Sequence, residues 1–570
     1  MAETEVRAAQ PRITVQIALP DNRTFEGPVG TTIETFLKAA FPESEAPLIA
    51  ALVNGRLREL TYTLKRDCDV EPVDLAHSDG VRIYRRSLSF LMIAAARRIL
   101  PGVEIFVDHS LPFGGYFCEV RNREPLTPLE LDALSAEMQR MVAADIPIAR
   151  KSIPLEEALT IFQNRNELDK VQLFQGRERY KKTHLQWYIL DEYQDYFHGY
   201  MVPSTGYLQY FRLLPWEDGF ILQFPRRHQP KELQPAQRDP QLLSVFRDYG
   251  RWLRLLGTES VGELNTIITR KELRSTILVS EALHEQRIAD IAHQIWERRK
   301  QVRVVLVAGP SSSGKTTFSK RLGVQLLAHG LRPFALELDS YFVNRENTPR
   351  DENGDYDFEA LEAVDVALFN ADLQALLRGD VVQLPHFNFF TGQREPGRTV
   401  QLQSDHIIIV EGIHGLNPKL VYTIPGETLY RVYVSALTQL NLDRHNRVPT
   451  TDSRLIRRIT RDARTRGYSA AETIGRWESV RRGEKRHIFP YQENADVMFN
   501  SALVYELSVL KPLAEPLLLQ VERDSRQWVE AKRLLTFLQW FLPVETAQVP
   551  ENSLLREFIG GSSLEEFHWD

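Results

Sequence analysis

Apolar and polar positions fall along this chain in rhythms that change from one stretch to the next. Between Arg12 and Val70 the beat is short, and Ile13-Thr-Val-Gln-Ile17 and Leu52-Val-Asn-Gly-Arg56 predict strands, with a short helix from Thr31 to Ala40. From Arg86 the spacing turns helical, with Leu88, Leu91, Met92, Ala95 and Ile99 on one face, until Pro101-Gly102 ends it. Val103 to Val107 and Tyr116 to Val120 predict paired strands around Pro112-Phe-Gly-Gly115. Residues 226 to 239, rich in Pro, Gln and charge, read as a linker, and Leu242 to Arg299 reads as helical. Beyond residue 300, short apolar runs alternate with helical patterns. Val304 to Ala308, Pro333 to Leu338, His406 to Val410 and Tyr430 to Val434 predict buried strands, and Asp496 to Asn500 a last edge strand. Alternation of this kind predicts an α/β fold with a doubly wound parallel sheet. Helical sequence resumes after it, with Leu534 to Leu542 strongly apolar.

At 570 residues the chain exceeds one core, and roughly three or four domains are expected. Hydrophobic content of 43% and charged content of 26% are those of a globular protein. A net charge of -6 argues against a dedicated nucleic-acid binder. Two cysteines, Cys68 and Cys118, exclude a disulfide framework and a cysteine-rich zinc site. The polar stretch from Met1 to Arg12 has no signal-peptide core, and the most apolar runs are too short for a membrane span. A cytoplasmic protein without a membrane partner is expected.

The chemistry concentrates after the first buried strand. Gly309-Pro310-Ser311-Ser312-Ser313-Gly314-Lys315-Thr316 satisfies the phosphate-loop pattern G-x-x-x-x-G-K-[ST] between a strand and a helix. Backbone N–H groups of such a loop converge on an anion, and the helix N-terminus behind adds positive potential. These residues with Thr317 are the expected nucleotide site, Lys315 reaching the β- and γ-phosphates and Thr316 placing its hydroxyl on Mg²⁺. Asp339 follows the second strand, where a carboxylate faces the crevice of a doubly wound sheet. It is a candidate general base and Mg²⁺ ligand, and a turn cap is its plainer reading. Glu411 ends the third strand as a candidate metal-orienting carboxylate. The segment from Arg444 to His487 holds thirteen Lys or Arg against five Asp or Glu. Arg454, Arg457, Arg458 and Arg461 recur there at helical spacing, which suits a kinase lid, a nucleic-acid surface or a solvated helix face.

Three resemblances join these readings. Gly30-Thr31-Thr32, Ala51-Leu-Val-Asn-Gly55 and Thr63-Leu64 resemble the TGS domain, a ubiquitin-like β-grasp module, with an unrelated small β-rich domain as the alternative. The following stretch resembles the second accessory domain of threonyl- and alanyl-tRNA synthetases. Arg86 and Phe90 stand where that family carries a His-x-x-x-His pair, so editing chemistry is not expected, and His184 and His198 have no recognised ligand spacing. Gly309 to Thr317, Asp339-Ser-Tyr-Phe342, Tyr356-Asp-Phe358, Leu384-Pro-His-Phe-Asn-Phe389, Glu411-Gly-Ile413 and Arg457-Arg-Ile-Thr-Arg-Asp462 resemble the uridine kinase and phosphoribulokinase family.

The resemblances imply a TGS-like domain over 1–85, a synthetase-accessory-like α+β domain over 86–228 and a linker and helical connector over 229–300. A P-loop kinase domain over 301–520 and a helical extension over 521–570 follow. They imply Lys315, Asp339, Arg458 and Arg461 as catalytic, and Asp339, Tyr341, Asp357, Phe387 and Arg458 as the substrate site. Thr316, Asp339 and Glu411 would serve the metal. Phe387 and Gly392 stand where uridine kinases usually carry a tyrosine and a histidine against the base, which puts uridine specificity in question. The expected activity is transfer of a γ-phosphoryl group from ATP or GTP, with Mg²⁺, to the 5′-hydroxyl of a nucleoside. An RNA- or tRNA-associated regulatory ATPase, or a kinase of a sugar phosphate, are the alternatives, and the N-terminal modules open the way to RNA contact.

Overall fold

The structure, a computed structural model, describes residues 11–175, 183–237, 239–351, 354, 356–388 and 390–567. Most of the polar N-terminal stretch, Arg238 of the expected linker and Phe389 of the kinase-like motif lie outside the described residues. The chain forms two compact units, one of Met1–Gln237, Asn441–Arg447 and Asp524–Val529, the other of Arg238–Leu440, Val448–Arg523 and Glu530–Asp570.

The first unit begins with β1 (Thr14–Ala18), β2 (Thr24–Pro28), α1 (Ile33–Ala40), β3 (Leu48–Val53), β4 (Arg56–Glu59) and β5 (Cys68–Asp74). They form one sheet in the order β2-β1-β5-β3-β4, with β1 and β5 parallel. Thr32 caps α1 by accepting from Thr35 N–H. Ile33, Phe36 and Leu37 of the helix share a core with Val15, Ile17 and Val70 of the sheet. The run Leu52 to Arg56, expected as one strand, is instead the turn of a hairpin. Val53 pairs with Arg56, and Asn54 and Gly55 take φ of 47° and 68° between them. An Asn-Gly pair is suited to that turn because neither residue pays much for positive φ.

Next come α2 (Ser78–Ile99), β6 (Ile105–Leu111), β7 (Gly115–Val120), α3 (Pro128–Ala143), β8 (Ile148–Pro154), α4 (Leu155–Asn164) and α5 (Leu168–Gln175). After residue 183 follow β9 (His184–Leu190), β10 (Tyr193–Asp195), β11 (Arg212–Trp216) and β12 (Gly219–Gln223). The strands make two antiparallel sheets, β11-β12-β7-β6 and β10-β9-β8. Leu88, Leu91, Met92 and Ala95 of α2 are buried in the core, as their spacing predicts. Ile99, expected on the same face, is only partly buried against it. Arg86 is turned inward and donates to the Tyr200 carbonyl at 2.7 Å. Phe90 is fully buried, its ring 5.3 Å from that of Phe197 and 5.4 Å from that of Tyr193.

One polar cluster interrupts this core. Lys170 is wholly buried, with its Nζ 2.5 Å from Asp195 Oδ2 and 3.1 Å from Glu167 Oε2. His445, from the chain's later passage through this unit, places Nδ1 3.2 Å from Lys170 Nζ and 3.3 Å from Asp195 Oδ2. Tyr193 donates its phenol to the same carboxylate at 2.5 Å. Burial works against the Lys170 charge, but Asp195 and Glu167 outweigh it and carry its pKa upward.

The second unit opens with α6 (Pro240–Leu256), α7 (Val261–Thr269) and α8 (Leu273–Glu297), three helices where the sequence suggests a single helical stretch. Gly257 ends α6 in the left-handed conformation. The core then runs β13 (Val304–Ala308), α9 (Lys315–Ala328), β14 (Arg332–Glu337), α10 (Val366–Arg378), β15 (Val381–Asn388), β16 (Gln393–Gln401), β17 (His406–Glu411) and β18 (Leu429–Ser435). It continues through α11 (Thr450–Thr465), α12 (Ala470–His487), β19 (Val497–Asn500), α13 (Glu506–Leu519), α14 (Trp528–Leu538) and α15 (Arg556–Ile559). Five strands form a parallel sheet in the order β14-β17-β13-β18-β19, while β15 and β16 pair as a separate antiparallel hairpin. Every residue of β13 is buried, so both faces of the central strand are covered. The order reverses at β13, which places the loop that follows it at the switch point where α/β sheets bind ligands. Among the described residues no helix is long and apolar enough to cross a membrane.

Candidate active site

β13 delivers the Gly309–Thr316 loop, and the backbone leaves no choice at its first position. A Cβ on Gly309 would lie 1.9 Å from the Val434 carbonyl oxygen, so the loop can hug β18 only with glycine there. α9 begins at Lys315 with Gly314 as its N-cap and no side-chain cap from that residue. Amide donors at this end therefore depend on other groups for partners.

The loop's carbonyl side is held from α11. Arg454 Nε donates to the Ser311 carbonyl at 2.9 Å and pairs with the buried Glu484 of α12, which accepts from Ser311 N–H at 3.1 Å. Arg457, also fully buried, reaches the Ser312 carbonyl at 3.4 Å and pairs with Glu506. Ser501 donates to the Ser313 carbonyl at 2.5 Å. This corrects the expectation of a lid built from all four arginines: Arg454 and Arg457 are packed under the loop as fixed parts of its seat. Arg458 donates to Ser311 Oγ at 2.8 Å and to Asp462 at 3.2 Å. Arg461 turns to Asp462 at 2.8 Å. Arg464 donates to the Glu557 carbonyl at 2.9 Å.

Carboxylates gather on the other side. Thr316 donates its hydroxyl to Glu411 Oε1 at 3.1 Å. Glu411 ends β17, in register with Val307 of β13 and Glu337 of β14, so the sheet itself aims it at the loop. Burial pushes its pKa up to about 7, with Lys315 opposing. Asp339, just past β14, keeps solvent access inside a protein-dense recess, and that surrounding raises its pKa against the pull of Lys315. Lys315 Nζ donates to the Pro310 carbonyl at 3.4 Å, within electrostatic reach of both carboxylates.

Glu359 joins this group without any signal in the sequence. Burial, then the nearby Glu484, push its pKa up to about 7, while Arg458 and Lys315 pull against them. It lies two residues past Asp357, whose Oδ1 accepts from the Glu359 N–H at 3.1 Å. Only its electrostatic neighbours mark it, and all of them are remote along the chain. Tyr341 and Phe387 do not open onto the recess. Both are buried in the core, Tyr341 donating to Asp372 at 3.1 Å and Phe387 packed on Phe342 with ring centres 5.6 Å apart.

The oxygen donors present, Thr316 Oγ1 with the Glu411 and Asp339 carboxylates, are hard ligands of the kind Mg²⁺ takes. Among the described residues no three His, Cys, Asp or Glu side chains cluster tightly enough to hold a metal alone.

Comparison with known proteins places the two halves of the chain differently. Threonine–tRNA ligases match its N-terminal region: that of Symbiobacterium thermophilum is 32% identical over 200 residues, 35% of this chain and 30% of the ligase. That of Desulforamulus reducens is 28% identical over 200 residues, 35% of this chain and 31% of the ligase. This chain thus spans less than a third of the curated relatives it matches. Among solved structures, D-glycerate 3-kinase from Cryptococcus neoformans aligns over 37% of this chain and 86% of its own, at 17% identity and a TM-score of 0.24. The Phosphoribulokinase / Uridine kinase family matches residues 304–508, which carry the phosphate loop, Asp339, Glu411 and the α11 arginines; residues 304–508 are a domain of that family.

Proposed function

We propose that this protein is an ATP-dependent kinase that phosphorylates an alcohol, with a nucleoside 5′-hydroxyl as the acceptor. The observation that carries the reading is the pairing of a phosphate loop with a separate recessed carboxylate. Lys315 and Thr316 lie on one side and Asp339 on the other, with Glu411 between strands aimed at the same spot. A nucleotide switch needs the loop, whereas a kinase also needs a base at its acceptor.

The roles follow from chemistry. The loop amides and Lys315 bind the phosphates and hold the γ-phosphoryl in line. Mg²⁺, held through Thr316 with Glu411 and Asp339 near it, would neutralise phosphate charge. Asp339 accepts the proton of the attacking hydroxyl, and its raised pKa brings it closer to the working range of a general base. Arg458, hydrogen-bonded to Ser311 Oγ, is placed to stabilise charge on the transferring group. GTP as donor and a sugar phosphate as acceptor remain within the same machinery. The N-terminal unit is read as TGS-like followed by a synthetase-accessory-like domain, with RNA contact its natural use. No editing site is assigned to it, because Arg86 and Phe90 are committed to packing.

The test is ATP consumption with Mg²⁺ across nucleosides and phosphorylated sugars, with Lys315→Ala as control. Turnover with one acceptor, lost in the variant, supports the reading and names the substrate. Hydrolysis stimulated by tRNA, with no acceptor phosphorylated, would replace it with the regulatory ATPase.

A further inference from the structure

The donors at the start of α9 already have a partner, and it comes from the end of the same chain. Thr317 N–H donates to Glu557 Oε2 at 3.1 Å, across 240 residues of sequence. Thr317 is the third residue of α9, directly after the Lys-Thr of the loop, where backbone amides of this motif meet nucleotide phosphates. The carboxylate therefore takes up a donor that a nucleotide phosphate needs.

The surrounding segment is seated on the loop. The Leu554 side chain fills the space that a Cβ on Gly314 would enter, approaching it to 2.3 Å. Lys320, one turn along α9, donates to the Leu564 carbonyl at 2.7 Å. Phe558 is fully buried, with the Arg457 guanidinium 4.9 Å from its ring centre. The negative charge of Glu557 also reaches Glu411, where it adds to the upward push on that pKa. Two anions cannot share this place, since their repulsion grows as water is excluded.

We propose that Glu557 belongs to the nucleotide site as an internal competitor, its carboxylate standing where a phosphate of the bound nucleotide goes. This rests on the nucleotide reading of the loop. Binding then requires α15 to give up the Thr317 N–H, and apparent affinity is the intrinsic affinity scaled by the fraction of molecules in which it has done so. Because the Glu557 carbonyl accepts from Arg464 on α11, release of α15 also takes that hydrogen bond from the arginine, one turn past Arg461. The C-terminal segment thereby sets nucleotide affinity from inside the site.

The experiment is calorimetric titration of the full chain with Mg·ATP, Mg·ADP and adenosine, comparing wild type with Glu557→Gln. Glu565→Gln, an exposed carboxylate of the same segment, serves as control. The substitution at Glu557 removes charge while keeping size, so the fold is retained. ATP and ADP should bind Glu557→Gln roughly tenfold more tightly, which is about 1.4 kcal/mol. Adenosine, lacking phosphate, should bind both alike, and Glu565→Gln should match wild type. In hydrogen exchange without nucleotide, the Thr317 amide should lose protection in Glu557→Gln. Unchanged or weaker ATP binding by Glu557→Gln overturns the inference while leaving the nucleotide reading standing. Equal tightening for adenosine overturns it as well, since the effect would then not concern phosphate. Absence of ATP binding by every form overturns the nucleotide reading itself, and this inference with it.

Discussion

Arg454 and Glu484 bracket the backbone of a single residue: the guanidinium donates to the carbonyl of Ser311 while its carboxylate partner accepts from the N–H of the same residue. Both side chains are buried, so neither can turn to water if the other is lost. Truncating one partner of a buried pair costs about 3–5 kcal/mol, because the remaining charge is left unpaired. Arg454→Ala should lower stability by that order in urea denaturation, and Arg454→Ala with Glu484→Gln by clearly less. Equal losses in the single and double variants would show that the pair is not the support of the loop.

Asp339 makes a prediction about chemistry and not about stability. Its side chain retains solvent access. Asp339→Asn should fold normally, while kcat falls about 10²–10⁴-fold, the range for loss of a positioned base. Rapid-quench turnover with the identified acceptor measures this directly. A variant that keeps half its kcat would remove Asp339 from the mechanism.

Glu359 ties stability to pH. Burial pushes its pKa up to about 7, well above the ordinary carboxylate range, so across that window the folded chain holds more protons at this site than the unfolded chain does. The contribution is fully present below the unfolded pKa and is lost as pH climbs through the folded one. Glu484, Arg458, Lys315 and Asp339 all face the group and share in its titration. Glu359→Gln should therefore gain on wild type between pH 5 and pH 8 in denaturant midpoints. Parallel curves for the two proteins would show that Glu359 does not titrate in this window.

In the N-terminal unit, Lys170 lies between Asp195 and Glu167, none of the three is exposed, and Arg97 pairs with Glu167 at 2.7 Å as a second cation. Lys170→Met should cost about 3–5 kcal/mol, since Asp195 loses its counter-charge in a buried place while Glu167 keeps Arg97. Thermal unfolding followed by circular dichroism reads the loss. A change below about 0.5 kcal/mol, the scale of ordinary surface substitutions, would contradict it.

How far the sequence carries depends on how local the determining physics is. The phosphate loop was legible because five apolar residues, a glycine-rich turn and a helix start are set within a dozen positions. Glu411 and Asp339 followed from their places at strand ends. The arginines of α11 were legible as a helix but not as a seat, because helical spacing says which residues share a face and not what covers it. Glu484, Glu506 and Ser501 turn Arg454 and Arg457 inward, and all three are distant in sequence. Glu359 and Glu557 carry no motif at all, since their meaning comes only from the lysine and amides they meet. The Asn54-Gly55 turn is a different case: its signal was present locally, and the apolar residues before it masked it as a strand.

The short passage Asn441–Arg447 has a consequence for how this protein can be divided. His445 arrives beside Lys170 and Asp195 only because the chain, between β18 and α11, re-enters the first unit. A fragment ending at residue 237 would keep Lys170 and Asp195 and lack His445, and one beginning at 238 would carry those seven residues without their surroundings. No single cut in the gene yields both units whole, so recombination that exchanged one for a relative's would have had to preserve the seven-residue insert in register with its host.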